Sequence, residues 1–431
     1  MLKAYSVRLL PTAEQERFFQ KSFGAVRFLY NHFLETSQHG MDQIKKRTPK
    51  RIAENTLTVM KTLDEFAWLN ELDSTSLQRA IRQLDEAWKK FFKQPKIHYN
   101  EKKVKKAARR GRKLTPFDLE GHPQFKSKKD RNQSYTAVCN YSKKGVATIY
   151  VQDRFLRMPK VDFVKFIKSK EIKGHIISVT IRSTSTDKYY ASILVDTDIA
   201  VLRPKKANVG IDVGLKDFAI LSNGVKIANP KHLRRFEKKM AYWQRKLSRR
   251  KKGGRNKEKA RLKVAQLHER IHNAREDFLH KVSTRLIRDN QVIVVEDLRV
   301  KNMLQNHKLA KSVADASWSR FVKMLEYKTI WYGRTLVYVD PWFPSSQLCS
   351  DCGFKNPAVK DLKIREWDCL NCGEHHDRDQ NAATNLLIDG IKILEGLTAL
   401  DPTVGHTGLV WSRKDTEILR SQLADSRLVK A

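Results

Sequence analysis

Residues 2–10, LKAYSVRLL, alternate apolar and polar side chains with the period of a half-buried strand. Pro11 stops the run. Thr12, with Gln15 three positions on, supplies the side chains that satisfy the first free N–H groups of a helix, so a helix is predicted from about residue 12. Within it Phe19, Phe23, Val26, Tyr30 and Phe33 recur at spacings of four and three, as one buried stripe requires. Leu77, Ile81, Leu84, Trp88 and Phe91 form a second stripe. The basic tract KKVKKAARRGRK at 102–113 breaks the pattern and reads as a mobile loop at the exit of a helical unit. From about 134 to 200 the period becomes two, in GVATIYVQ, HIISVTIRS and YYASILVD, which predicts a β domain. The strand at 2–10 would complete it, leaving the helical unit inserted in a discontinuous β domain.

From residue 208, NVGIDVG, FAILSN and GVKIA give three short strands with glycine-containing turns. Leu233, Phe236, Met240, Trp243 and Leu247 then step by three and four, and Leu267, Ile271, Ala274, Phe278 and Val282 resume the stripe after KKGGRN, predicting an antiparallel hairpin of two long helices over 231–289. Between 231 and 261, 15 Lys or Arg stand against two acids. That excess is too one-sided for pairing along a helix face and reads as a rail for a phosphate backbone. VIVVEDL at 292–298 and LVYVD at 336–340 are apolar runs typical of a central sheet. A short helix is predicted from about 380 to 395, and beyond about 400 the pattern dissolves into a tail expected to be disordered. Trp318, Phe321, Trp331 and Trp342 lie on apolar periods and read as core, Trp367 as more open.

At 431 residues the chain is about twice the size of one hydrophobic core, so several domains are expected. Hydrophobic residues at 40% and aromatics at 9% exclude a disordered basic tail. Lys plus Arg total 85 against 47 for Asp plus Glu, and the resulting +38 calls for a polyanionic partner. The sequence has no run of about 18 apolar residues, and MLKAYSVRLLPTAEQ lacks a secretory stretch, so neither a membrane span nor export is expected. Of five cysteines, four fall as two CxxC pairs and only Cys139 stands alone, a pattern that suits a reducing compartment. A cytoplasmic, nucleoid-associated protein is the expectation.

The strongest local signal is Cys349-x2-Cys352, 16 intervening residues, and Cys369-x2-Cys372. Four thiolates at that spacing match a tetrahedral structural zinc site built from two knuckles, closed to catalysis because no coordination position is left. His375 and His376 are close enough to substitute as ligands but read as loop or substrate contacts. A second signal is dispersed: Asp212 in VGIDVGLKDFAI, Glu296 in VIVVEDL and Asp379 in HDRDQNAATNLL. Asp212 and Glu296 each follow an apolar strand segment of one sheet, and Asp379 opens a helix able to lean over the strand ends. Three carboxylates converging there need a cation, and hard oxygen ligands select Mg²⁺ or Mn²⁺. Two such ions would hold the attacking water and the leaving oxygen of a phosphodiester in line. Asp217, Asp297 and Asp377 are near in sequence and compete for the same roles, and Lys216 and Arg378 lie beside them.

The acids in GIDVGLKDFAI, VVEDL and HDRDQNAATN, in that order with SSQLCSDCG between them, resemble those of TnpB-type transposon-encoded RNA-guided DNA nucleases, relatives of type V CRISPR effectors. SFGAVRFLYN at 22–31, PQFKSKKD at 123–130 and LHKVSTRLI at 279–287 extend the similarity over nearly the whole chain. The resemblance implies a multidomain protein of α+β and α/β parts. A β-barrel-like wedge domain, gripping guide RNA, would comprise 1–10 and 126–204, with a helical recognition domain over 11–125 inserted in it. A RuvC-like nuclease domain with an RNase H-like sheet would comprise 205–345 and 376–398, interrupted by a zinc-knuckle target-nucleic-acid-binding insert at 346–375, with a C-terminal tail at 399–431. It further implies metal-dependent endodeoxyribonuclease activity by two-metal hydrolysis beside a short target-adjacent motif, with Asp212, Glu296 and Asp379 as catalytic magnesium ligands. The implied partners are a guide RNA from the transposon end and target double-stranded DNA, bound by a monomer. Ser74, Thr75 and Gln78, at the start of the second helical stripe, match the helix that lies against the target-adjacent duplex, where a glutamine can bond an adenine edge. The other readings are a catalytically silent nucleic-acid-binding regulator of transposition, disfavoured by the intact acids, and a junction resolvase, which would not need the long N-terminal apparatus.

Overall fold

The alternating run at the start of the chain is strand β1 (Leu2–Leu9), with Tyr5, Val7 and Leu9 buried. A capping box begins helix α1 (Ala13–Thr36): the Gln15 amide donates to Thr12 Oγ1 at 3.3 Å and the Thr12 amide to Gln15 Oε1 at 3.1 Å, stabilising the helix by about 1 kcal/mol. The computed structural model describes residues 1–37, 50–361, 363–400 and 409–411, and its backbone divides into two units, Met1–Asp198 and Ile199–Ala431. In the first unit α2 (Lys50–Met60), α3 (Ser74–Phe92) and α4 (Glu101–Arg109) follow α1. Both predicted stripes, Phe19 to Phe33 on α1 and Leu77 to Phe91 on α3, are buried in a single core. Helix α4 occupies residues 102–109 of the tract expected to be a loop. Asn100 Oδ1 accepts from the Lys103 amide at 3.1 Å, Ala107 is buried, and Lys, Ala and Arg are good helix formers, so capping and propensity outweigh like-charge repulsion.

The strands of this unit are β2 (Ser134–Val138), β3 (Tyr150–Gln152), β4 (Phe155–Met158), β5 (Asp162–Lys165), β6 (His175–Ser183) and β7 (Tyr189–Asp196). They form an antiparallel sheet in the order β1-β7-β6-β2 and a smaller one, β3-β4-β5. The chain between β1 and β2 carries all four helices. Beyond β1 the Leu10 amide donates to the Lys165 carbonyl at 2.8 Å and the Ile167 amide to the Arg8 carbonyl at 2.8 Å, joining the two sheets.

The second unit contains β8 (Asn208–Val213), β9 (Asp217–Leu221), β10 (Lys226–Ala228), α5 (His232–Arg249), α6 (Arg255–Asp289), β11 (Val292–Glu296), α7 (Val300–Met303), α8 (Ala310–Ala316), α9 (Trp318–Tyr332), β12 (Thr335–Val339), β13 (Glu366–Asp368), β14 (His375–Asp377), α10 (Arg378–Leu400) and β15 (Leu409–Trp411). One sheet runs β10-β9-β8-β11-β12-β15, with β8, β11, β12 and β15 parallel, β9 antiparallel to β8 and β10 antiparallel to β9. Its two faces are both covered. Val209, Ile211, Ile293, Val295 and Leu336 pack with Leu279 and Leu286 of α6 and Phe321 and Leu325 of α9. Val292, Val294, Val337 and Val339 face Leu386, Leu387 and Ile391 of α10. The α5–α6 hairpin closes on Met240, Leu267 and Ile271.

Strand β15 lies inside the stretch expected to be a disordered tail and instead extends the sheet at its edge, pairing Leu409 to Trp411 with Thr335 to Val337. The rest of 401–431 is outside the described residues. Trp318 and Phe321 are buried as expected and Trp331 is half-buried, but Trp342 is 75% exposed, with the Arg299 guanidinium over its ring at 5.6 Å. Among the described residues no helix is long and apolar enough to cross a membrane.

Helix α10 lies directly on β8. A Cβ on Gly210 would run into the carbonyl of Ala383 and come within 2.7 Å of the Leu387 amide nitrogen, so only glycine allows this approach. Gly210→Ala is expected to destabilise the second unit by about 1–3 kcal/mol and to lift the start of α10. A chemical denaturation series comparing the variant with wild type checks this.

Candidate active site and metal centre

Side chains alternate across a strand, so Asp212 shares the face of Gly210, and Glu296 that of Val292 and Val294. Both faces are the one α10 covers. Val295 stands in register with Ile211, which brings Glu296 beside Asp212 at the C-terminal ends of parallel strands, where open α/β sheets bind their ligands. Asp379 sits in the first turn of α10, above the same ends. The electrostatics follow from this placement. Burial, with the charges of Asp379 and Glu296, pushes the Asp212 carboxyl up to about 7, opposed by Arg378. Burial, with the neighbouring Asp297, pushes Glu296 up to about 7. The recess holds more negative charge than its surroundings neutralise.

Of the neighbouring acids, Asp377 is committed to partners of its own. Asp377 caps α10, its Oδ1 accepting from the amides of Asp379 and Gln380 at 3.0 Å each, and Lys226 Nζ bonds its other oxygen at 2.6 Å. Burial works against its charge, yet these bonds hold its pKa below the usual range. Asp297, next along the chain and just past the end of β11, lines a recess of about 360 Å³ together with Glu296, Glu326 and Tyr338. Asp217 begins β9, and Lys216 is exposed. Arg378 is buried, its Nε without a hydrogen-bond partner, and its charge acts on Asp212. Arg365 was not visible to sequence reasoning: its Nη1 lies 3.1 Å from Asp379 Oδ2, a pairing across 14 residues that no local pattern signals. Among the described residues the three carboxylates do not all close to within 4.8 Å of one another, as Asp379 is turned to Arg365.

The four cysteines do close. Their sulfurs all lie within 4.8 Å, with Cys349 to Cys372 at 3.7 Å and Cys352 to Cys369 at 3.5 Å. A tetrahedral ion with bonds of about 2.3 Å sets its sulfurs about 3.8 Å apart, so the cage fits zinc. The two knuckles repeat one backbone plan. The Gly353 amide donates to the Cys349 carbonyl and the Gly373 amide to that of Cys369, with φ of +76° and +75°, a left-handed turn that glycine makes without strain. His376 departs from the loop or substrate contact expected of it. It is buried, its Nε2 3.0 Å from Cys349 Sγ and its ring against Trp367, which is itself core to the knuckle rather than open. His375 is exposed and pairs with Asp368 at 2.7 Å. Asn381 and Asn385 of α10 both donate to the Leu348 carbonyl at 2.7 Å, so the knuckle is tied to the helix that carries Asp379.

In the first unit Asp73 caps α3, its Oδ2 accepting from the Ser76 amide at 2.9 Å. Thr75 is half-buried with its hydroxyl committed inside the protein, donating to Asp73 at 2.6 Å and accepting from the Val138 amide at 3.0 Å. Ser74, bonded by Lys61 at 3.0 Å, and Gln78 are exposed on the first turns.

Comparison with known proteins now bears on these residues. A family model described as "Probable transposase" (OrfB_IS605) matches residues 192–307, one described as "Cas12f1-like, TNB domain" matches 318–386, and one described as "Helix-turn-helix domain" matches 1–46. A Streptomyces pristinaespiralis protein named "Putative RNA-guided DNA endonuclease" is 38% identical over 391 residues, 90% of this chain and 89% of its own. The Escherichia coli K12 protein "Putative RNA-guided DNA endonuclease InsQ" is 29% identical over 411 residues, 91% of this chain and 93% of its own. A solved Cas12f1–sgRNA–target DNA complex aligns over 90% of this chain and 99% of its own at 16% identity and a TM-score of 0.33, too loose a likeness to bear on the site. The identity to the Streptomyces protein across about nine-tenths of both chains makes this chain a member of the TnpB family of transposon-encoded proteins.

Proposed function

We propose that this chain is an RNA-guided DNA endonuclease that cuts by metal-assisted phosphodiester hydrolysis, with Asp212, Glu296 and Asp379 as the metal-binding carboxylates. The observation that carries the reading is the pair Asp212 and Glu296, side by side at the strand ends and both raised to about 7, under the helix turn that holds Asp379. A buried surplus of carboxylate is stabilised by a divalent cation, and all-oxygen donors suit Mg²⁺ or Mn²⁺. Asp212 feels the charges of both Glu296 and Asp379, and the three carboxylates together would hold the divalent cation. Bound there, two such ions would activate water and stabilise the leaving oxygen. Release of Asp379 from Arg365 is the local change this reading requires, and a phosphate entering the recess offers the arginine a replacement partner. The names of the Streptomyces pristinaespiralis and Escherichia coli relatives support the RNA-guided part of the reading. The +38 charge suits a polyanionic partner.

In the same reading Cys349, Cys352, Cys369 and Cys372 hold a structural Zn²⁺, the insert at 346–375 contacts target nucleic acid, the sheets of the first unit hold a guide RNA from the transposon end, and the protein acts as a monomer in the cytoplasm near the nucleoid. The exposed start of α3 faces the target-adjacent motif, with Ser74 and Gln78 free of the backbone and Thr75 shaping the turn. Gln78→Ala is expected to relax selection at one or two motif positions, at about 1–3 kcal/mol per lost base contact, without touching guide pairing. A cleavage screen over randomised flanking sequence reads this out. Identical profiles would remove α3 from the motif readers.

A further inference from the structure

Tyr150, Phe155 and Phe163 stand on one open face of the small sheet β3-β4-β5. In register, Tyr150 pairs with Arg157 and Arg157 with Phe163, while Gln152 pairs with Phe155 and Phe155 with Lys165. Alternation therefore sets two cross-strand rows on the same face, Tyr150–Arg157–Phe163 and Gln152–Phe155–Lys165. The opposite face carries Leu156, Met158 and Val164, which are buried in the core. Tyr150, Phe155 and Phe163 are instead 38%, 41% and 42% exposed. The Tyr150 and Phe163 rings meet edge to face at 6.0 Å across the strand of Arg157, whose Nη1 donates to the Thr148 carbonyl at 2.7 Å. Among the described residues no layer covers these rows.

A sheet with one wet face normally turns polar side chains to the water, so three large rings there mark a contact surface. The charge around them identifies the partner. Between 143 and 173 there are nine Lys or Arg against three acids, with Arg154, Lys160, Lys165 and Lys168 exposed. Flat rings interleaved with cations complement unpaired nucleotides, whose bases stack while their phosphates are neutralised. A permanently exposed aromatic face also favours a resident partner over one met only at the moment of cutting. We infer that the open face of β3-β4-β5 is a base-stacking platform for unpaired nucleotides of bound RNA, with Tyr150, Phe155 and Phe163 taking bases and Lys165 and its neighbours the phosphates. The choice of RNA rests on the proposed function; the platform itself does not.

The test is a titration of the full chain, stripped of copurified nucleic acid, into an oligoadenylate RNA of about 12 nucleotides carrying 2-aminopurine, whose emission reports stacking. Wild type should change the emission and bind more tightly than to the DNA of the same sequence. Phe155→Ala with Phe163→Ala should bind about tenfold or more weakly, Phe155→Leu should lose the emission change despite keeping an apolar side chain, and Phe155→Trp should retain it. These side chains are exposed, and far-UV circular dichroism confirms that the variants fold. Unchanged RNA binding by the double alanine variant overturns the platform. A leucine variant that behaves as wild type overturns stacking, and tighter binding of the DNA overturns the assignment to RNA. Loss of stacking in the variants together with no guided cleavage by wild type would leave the platform standing and defeat the nuclease reading alone.

Discussion

Asp212→Ala, Glu296→Ala and Asp379→Ala are each expected to lower guided cleavage by about a thousandfold or more, roughly 4 kcal/mol of barrier, while binding of RNA and target DNA stays near wild type. Asp212 and Glu296 lie on the face of the sheet that α10 covers, Asp379 lies in the first turn of α10, and none of them is part of an apolar core. Under the proposed function their removal takes away metal ligands and leaves the framework. Metal chelation should reproduce the loss. A stability measurement separates this from a structural role. Asp212 ordinarily titrates near 3.8 and is raised to about 7, and an acid whose folded pKa lies above its unfolded one destabilises the fold at every pH above the unfolded value, most of all above the folded one. In the metal-free protein Asp212→Asn should therefore raise the melting temperature, more at pH 8 than at pH 4. A variant that cuts nothing yet melts higher is what a functional charge cluster gives. Loss of binding along with cutting would make the site structural.

Cys369→Ser is expected to take zinc from about one ion per chain to none, whereas Cys139→Ser keeps it. Cys139 lies in the first unit, buried with its thiol 3.4 Å from the Ile149 carbonyl and remote in sequence from the knuckles. Among the described residues the knuckle's core is Cys349, Val359, Trp367 and Cys369, with Ile364 beside them. So few side chains make a weak core, and the apparent binding energy of a structural zinc, about 10–16 kcal/mol in isolated fingers, would fix it under the proposed function. The effect should travel. With the Leu348 carbonyl no longer held, Asn381 and Asn385 lose their partner, and the first turn of α10 loosens around Asp379. Elemental analysis, limited proteolysis between 346 and 375 and a cleavage assay should change together in Cys369→Ser, while the first unit keeps its melting transition. Equal zinc in both variants would remove the site.

Periodicity made the long elements legible. The stripes of α1 and α3 and the apolar runs of β11 and β12 are each several repeats long, and each is buried where the pattern put it. Short elements were not legible. FLRM and DFVK are four-residue strands, β4 and β5, too brief to show a period, and β15 becomes a strand only because the edge of β12 is there to pair with it. Over 102–109 the run of charge hides a helix, which the Asn100 cap starts. At the site, candidate residues were readable and their partners were not. The CxxC spacing led to four sulfurs that close on one another, whereas Asp297 next to Glu296 stayed an alternative. The pairing of Arg365 with Asp379, the cap from Asp377 and the burial of His376 against Cys349 all depend on tertiary contacts with no local signature.

The most direct measurement is to coexpress the chain with transposon-end RNAs that differ only in the 3′ segment, and to map cleavage on a plasmid carrying both matching targets. The expected result is that the cut moves with the RNA segment, requires Mg²⁺ or Mn²⁺, and disappears in Asp212→Ala. Cutting at the same place whatever the RNA, or no cutting by a wild-type chain that holds both RNA and target, would contradict it.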